Sequence, residues 1–307
     1  MSYSGHGFFG GESVEQIRIG DRVVRRSYGS DVIFVVLKVI TSRARAARAL
    51  LKGINARLMA DAPIADLLPA CEEEIDLCAE TVHEEARQSM ERVFLRRIAE
   101  DVNIDYRGHD RGVLPPGIDY RHVPGKVLHL DGDGDYLKNC LKYYRDLGVP
   151  AIGYYVPEEV QPSKAIALIR EHLPDILVVT GHDGFIARKG DKLSLDSYRT
   201  SRYFVDTVQK VRQVQPCKDS LVIIAGACQS HYEALMDAGA NFASSPQRIF
   251  IHCADPLLVA EKVSFTPFNV VVQVTQVAEN IVSGLSGIGG IETMGKLRLS
   301  LPNTISG

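Results

Sequence analysis

The run Leu221-Val-Ile-Ile-Ala-Gly-Ala-Cys228 constrains this chain more than any other stretch. An apolar run, then small residues, then a thiol, reads as a buried strand that stops at a cysteine. Ile176-Leu-Val-Val-Thr-Gly-His182-Asp-Gly184 repeats the design and ends on an imidazole. From Lys126 onward such runs alternate with helical patterns. Strands are expected at 127–130, 151–156, 176–182, 221–228 and 248–253, with helices at 136–147, 163–173, 197–214 and 231–238. A closing helix is expected at 274–285. That alternation predicts an α/β fold around a mainly parallel sheet. Chemistry in such sheets gathers at the carboxyl ends of strands, where Asp131, His182 and Cys228 all fall.

A thiol and an imidazole on neighbouring strand ends suit nucleophilic catalysis. The thiolate attacks; the imidazole activates it and then protonates the leaving amine. The plain alternative is two core strands that end in Cys and His. The six cysteines (Cys71, Cys78, Cys140, Cys217, Cys228 and Cys253) form no Cys-x-x-Cys pair, so a structural zinc site is not expected. His252-Cys253 is a second possible dyad, but neighbours on a strand point to opposite faces. His231 reads as a helix-start residue and His129 as core.

A net charge of −3 gives no reason to expect nucleic acid as a partner. No apolar run of membrane-spanning length is present. The Gly-rich, polar start lacks the pattern of a secretory signal, so reduced thiols in a cytoplasm are expected.

Before the α/β region, residues 1–11 read as a flexible leader. Closely spaced β-rich runs follow over 12–63 and suggest an SH3-like barrel, with a basic loop at Thr41-Ser-Arg43-Ala-Arg45-Ala-Ala-Arg48. Its role would be docking, or packing alone. Residues 64–125 read as a helical linker and a loop punctuated by Pro115-Pro116. The remaining domain is 126–307.

Thr180-Gly-His182-Asp-Gly184, Ala227-Cys228, Gly239-Ala-Asn-Phe-Ala-Ser-Ser-Pro246, Ile19-Gly-Asp-Arg-Val-Val and Arg57-Leu-Met-Ala-Asp-Ala-Pro63 carry a resemblance that covers nearly the whole chain. The sequence resembles the YabG family of sporulation-specific cysteine peptidases of spore-forming Firmicutes. More distantly it is similar to caspase-like peptidases, whose histidine falls about 50 residues before the cysteine. The resemblance implies a three-layer caspase-like sandwich. It also implies spore coat proteins as substrates, cleavage after arginine, the mother-cell cytoplasm as location, and no cofactor or metal. Carried over, Cys228 is the nucleophile and His182 the general acid–base. The oxyanion would rest on backbone N–H groups of Cys228 and of Asp183 and Gly184. The chain departs from caspases where Asp183 intervenes before glycine, and where Gly226 replaces a polar specificity residue.

The acidic turn Asp131-Gly-Asp133-Gly-Asp135 could supply the missing charge, with Asp131 and Asp133 binding a substrate arginine. The bland reading is a turn whose aspartates cap the next helix. A calcium loop fits poorly, since Tyr136 and Lys142 hold its Gly and Glu positions. The same turn also resembles haloacid-dehalogenase phosphotransferases, with Asp131 as nucleophile, Asp133 as acid–base and magnesium as cofactor. A non-catalytic α/β binding domain with an adaptor barrel is the third reading. If the basic loop is exposed, Arg43, Arg45 and Arg48 are candidate sites of self-cleavage, with Arg96-Arg97 weaker; the plain alternative is a solvated loop that the barrel does not release.

Overall fold

The computed structural model describes residues 17–42, 45–54, 56–106 and 121–300. The leader expected at 1–11 lies outside the described residues, as do Arg43 and Pro115-Pro116.

The N-terminal part is a five-stranded antiparallel sheet of β1 (Arg22–Arg25), β2 (Ile33–Ser42), β3 (Arg45–Gly53), β4 (Met59–Pro63) and β5 (Leu67–Pro69), in the order β4-β3-β2-β1-β5. Val23, Phe34, Val36, Ala49, Leu51 and Ala62 alternate inward and form its core. The segment expected as a loop over 41–48 is instead the meeting of β2 and β3, paired as far as Ser42 with Arg45. Short side chains at Ala46, Ala47 and Ala49 extend as readily in a strand as in a loop. Arg48 also pairs with Asp61 of β4 at 2.5 Å, so its charge is met inside the sheet.

Helix α1 (Glu72–Tyr106) crosses from this sheet to the second one. Only a narrow stripe of it is buried, around Ala86 and Val93, while Leu77, Phe94, Leu95 and Ile98 remain exposed. Arg96 and Arg97 both reach the fully buried Glu261, at 2.8 and 2.6 Å.

Next come β6 (Arg121–Val123), β7 (Val127–Asp131), α2 (Gly134–Asp146), β8 (Ala151–Tyr155), α3 (Gln161–His172), β9 (Ile176–Thr180), α4 (Ser201–Val214) and β10 (Val222–Ala225). They are followed by α5 (Tyr232–Ala238), β11 (Phe242–Ser244), α6 (Asp255–Phe265), β12 (Val271–Val272), α7 (Val274–Ala278), α8 (Gly284–Gly287), β13 (Ile288–Gly290), β14 (Thr293–Met294) and β15 (Arg298–Ser300). The main sheet runs β13-β11-β10-β9-β7-β8. All its pairings are parallel except that of the edge strand β13. Strands β12 with β14 and β15 with β6 form two small ladders.

Period-two alternation sorts the strand residues between two cores. Val127, Ile176, Val178, Val222, Ile224 and Phe242 face α2 and α6. Leu128, Leu130, Leu177, Val179, Ile223 and Ala225 face α3, α4 and α5. Helices therefore cover both faces, as a parallel sheet requires.

Two expected elements differ. Arg248–Cys253 forms no strand; β11 pairs with β10 instead, and the segment is a loop in which Ile251 to Cys253 are buried and Phe250 is exposed. The closing helix over 274–285 is broken into α7 and α8, with residues 279–283 between the pieces.

Candidate active site

Strand β7 ends at Asp131, β9 stops two residues before His182, and β10 stops three before Cys228. Gly226, at φ +110°, makes the bend that lets the chain leave β10. All three side chains are buried, Asp131 and Cys228 completely. Part of the N-terminal sheet lies between Asp131 and His182, with Gly53 against His182 and Arg57 against Asp131.

Arg57 lies between β3 and β4. The Leu58 N–H donates to the Ala56 carbonyl at 2.7 Å, and the Gly53 N–H donates to the Leu58 carbonyl at 2.8 Å. The Arg57 carbonyl accepts N–H groups from Asp183 at 3.1 Å and Cys228 at 3.3 Å. Its guanidinium donates through Nη1 to Asp131 Oδ1 at 2.9 Å, and Nη2 stands 2.8 Å from Oδ2. It also lies over the Tyr136 ring at 4.7 Å and touches Cys140 Sγ. Beyond Arg57, Met59 N–H donates to the Asp183 carbonyl at 2.7 Å. Gly184 is required at this approach, since a Cβ there would lie 2.0 Å from the Met59 carbonyl oxygen.

Arg57 and Asp131 are both wholly shielded from water. Burial alone would push the Asp131 carboxyl up, but the guanidinium and His129 overrule it and hold it well below the usual range. Burial opposes the charge on Arg57, and Asp131 restores it. Two pronged contacts at this depth form a charge pair that depends on both partners.

His182 Nε2 meets the Gly53 carbonyl at 3.2 Å. A carbonyl only accepts, so Nε2 carries the proton and Nδ1 keeps a lone pair. Asp133 Oδ2 lies 3.8 Å from Nδ1 and also pairs with Lys52. The other Asp133 oxygen caps α2 through the N–H groups of Asp135 and Tyr136. Asp133 thus has both oxygens engaged away from Arg57. Burial depresses the His182 imidazole to about 4 despite Asp133. Burial also pushes the Cys228 thiol up to about 12. Both groups are therefore neutral in this closed arrangement. Cys228 Sγ accepts the Ile251 N–H at 3.3 Å and faces the Ile251 carbonyl at 3.7 Å. No hydrogen bond joins it to His182 among the described residues.

Other contacts were not anticipated. Glu158 accepts the His182 N–H at 2.7 Å, and burial raises its carboxyl. Asp183 is buried, accepting N–H groups of Gly184 at 2.8 Å and Thr200 at 2.9 Å, and the Ser230 hydroxyl at 3.0 Å. Burial raises its carboxyl against these bonds. Its role is to brace the loop after β9. The Gly184 N–H, expected at the oxyanion, donates to the Asp183 side chain, and the N–H groups that reach the Arg57 carbonyl are those of Asp183 and Cys228. Arg57 itself carried no local signal; an arginine after a small residue in a hairpin reads as surface.

His252 and Cys253 do come together, with Nδ1 4.0 Å from Sγ. The expected separation assumed a strand, and this segment is a loop. His231 caps α5 as a helix-start residue, buried and accepting the Ala234 N–H. His129 is in the core, 2.8 Å from the Thr180 hydroxyl. The phosphotransferase reading needs an Asp131 free to attack, yet both its oxygens face Arg57.

The sequence model described as YabG peptidase U57 matches residues 18–302. The sporulation-specific protease YabG of Bacillus subtilis (strain 168) is 41% identical over 287 residues, covering 94% of this chain and 98% of the relative. Both matches span the N-terminal sheet as well as the strand-end cleft, so the chain belongs to the YabG peptidase family and is a peptidase.

Proposed function

We propose that the protein is a cysteine endopeptidase that cuts after arginine, with Cys228 as nucleophile and His182 as general acid–base. One observation carries the reading. An arginyl residue lies in the cleft with its carbonyl on two backbone N–H groups and its guanidinium on a buried carboxylate. Acyl transfer needs both: donors where negative charge develops on oxygen, and a pocket that fixes the residue before the broken bond.

In this account Asp131 selects arginine through the two-pronged contact. Lysine, a point charge, fits that fork less well. Cys228 attacks the carbonyl carbon, and the N–H groups of Cys228 and Asp183 hold the oxyanion. His182 takes the thiol proton at Nδ1 and gives it to the departing amine. Gly53 fixes the tautomer in the closed state, and Asp133 favours the protonated ring. Asp133, read from the sequence as a second arginine-binding group, is better placed for this positioning role.

Layering on both faces of the parallel sheet supports a caspase-like sandwich over 126–307. The antiparallel order β4-β3-β2-β1-β5 supports an SH3-like barrel ahead of it, with α1 as the linker. Spore coat proteins are the substrates we assign, and the mother-cell cytoplasm the location, on the strength of the relative's description as sporulation-specific.

The test is cleavage of an arginyl peptide by wild type, Cys228→Ala and His182→Ala. Each variant should keep its fold by circular dichroism and lose on the order of 10⁴-fold in rate. Full activity in Cys228→Ala would remove the cysteine from the mechanism.

A further inference from the structure

The cleft is occupied by the protein's own chain, in the pose that a substrate would need. We propose that Arg57–Leu58 is the enzyme's first substrate, so that the intact chain is a precursor that opens by cutting itself at that bond; this rests on the cysteine-peptidase reading above.

Three independent contacts define the pose. The Arg57 side chain fills the pocket over Asp131 and is itself fully buried. The Arg57 carbonyl sits on the N–H groups of Cys228 and Asp183. The chain after it runs along the loop that follows β9, with Leu58 bridged in parallel to Asp183. Ala56 and Leu58 pack in one apolar cluster with Cys228. Openings lie on both sides of the segment. One cavity of about 390 Å³ is lined by Lys52, Gly53, Ile54, Asp133 and Tyr136. Another of about 330 Å³ is lined by Leu58, Met59, Ala60, Phe185 and Gln229. A peptide longer than the plug thus has a path on each side, but the centre is blocked until Arg57 leaves.

Arg48 is held by pairing with both neighbouring strands and by Asp61. Arg96 and Arg97 are helical and clamped on Glu261. Neither can reach the cleft as Arg57 already does.

The chemistry needs only water. Cys228 sulfur bonds to the Arg57 carbonyl carbon, and the bond from that carbon to the Leu58 nitrogen breaks. The amine takes the proton that His182 removed from the thiol. Leu58 must first release the Ala56 carbonyl, which its N–H holds at 2.7 Å. Water then hydrolyses the thioester, leaving a carboxylate on Arg57 and returning the thiol. The two pieces remain paired through β3 with β4 and β1 with β5, while the new Arg57 end is freed from its tether to β4.

Purified full-length wild type, Cys228→Ala and Arg57→Lys are followed by intact mass, N-terminal sequencing and hydrolysis of an added arginyl peptide. Wild type should yield a new terminus at Leu58 at a rate independent of protein concentration, and peptide hydrolysis should begin with a lag that ends as the cut completes. Cys228→Ala should stay whole. Arg57→Lys, which keeps the charge facing Asp131, should be cut at least tenfold more slowly. Peptide hydrolysis without lag by a chain still joined at Arg57–Leu58 would overturn the proposal while leaving the peptidase reading intact. A cut rate proportional to concentration, or an equal cut in Cys228→Ala, would also overturn it. Neither self-cutting nor peptide hydrolysis in wild type would sink both readings together.

Discussion

Arg57 of the N-terminal sheet and Asp131 of the main sheet, 74 residues apart, meet through two contacts with no access to water. The N-terminal sheet is therefore tied to the main sheet by a charge pair. Removing one partner leaves the other buried and uncompensated. Asp131→Asn and Arg57→Met should each destabilise the intact chain by about 3–5 kcal/mol. Their combination should cost less than the two separate losses together. Urea unfolding of the Cys228→Ala background, in which no cut intervenes, measures this. Simple additivity would mean that the pair contributes no coupling.

Thiol reactivity should follow access and not catalytic role while the cleft is closed. Cys71 and Cys217 are exposed, and Cys228 is buried with its thiol pushed up to about 12. Iodoacetamide should label Cys71 and Cys217 first in the intact chain, with Cys228 following only once Arg57 has left. Peptide mapping at successive times reads the order. Immediate labelling of Cys228 would show an open site.

The buried His182 should make the closed chain sensitive to acid. Burial holds its ring at about 4 in the folded chain, against the ordinary imidazole value of 6.5. Between those values the unfolded chain binds a proton that the folded chain refuses, so stability falls as pH drops through that window. The full contribution is about 3 kcal/mol, reached near pH 4. Comparing urea midpoints of Cys228→Ala with and without His182→Gln from pH 7 to 4 isolates it from the carboxylates. Parallel curves would contradict the burial of a neutral ring.

Asp131 and Asp133 should separate in kinetics. Asp131→Asn should lower the preference for arginine over lysine in kcat/KM. Asp133→Asn should leave that preference unchanged and move the acidic limb of the pH–rate profile to lower pH, because the carboxylate that favours the charged ring is gone. Loss of arginine preference in Asp133→Asn would return it to the substrate pocket.

Much of this arrangement was legible in the chain. Parallel strands buried on both faces read as bare apolar runs, so the ends at Asp131, His182 and Cys228 could be placed from sequence alone. Arg248–Cys253 misled for the same reason: its apolar residues read as a strand, yet Phe250 is exposed and Ile251 is buried in a loop, where it supports the Cys228 sulfur. The basic stretch around Arg45 looked like a loop because charge was taken for exposure, whereas Asp61 answers Arg48 within the sheet. Arg57 was out of reach. Its partners are set by how two sheets dock, and no local pattern encodes a contact to Asp131 or Cys228.

The most direct test of the central claim is covalent capture. Wild type is incubated until its peptidase activity is steady, then treated with an arginyl acyloxymethyl ketone peptide and mapped by mass spectrometry. The account predicts one adduct, on Cys228, suppressed by excess arginyl substrate and absent from His182→Ala. An active enzyme that carries its adduct on another residue, or that keeps cutting after arginine with Cys228 fully blocked, would contradict it.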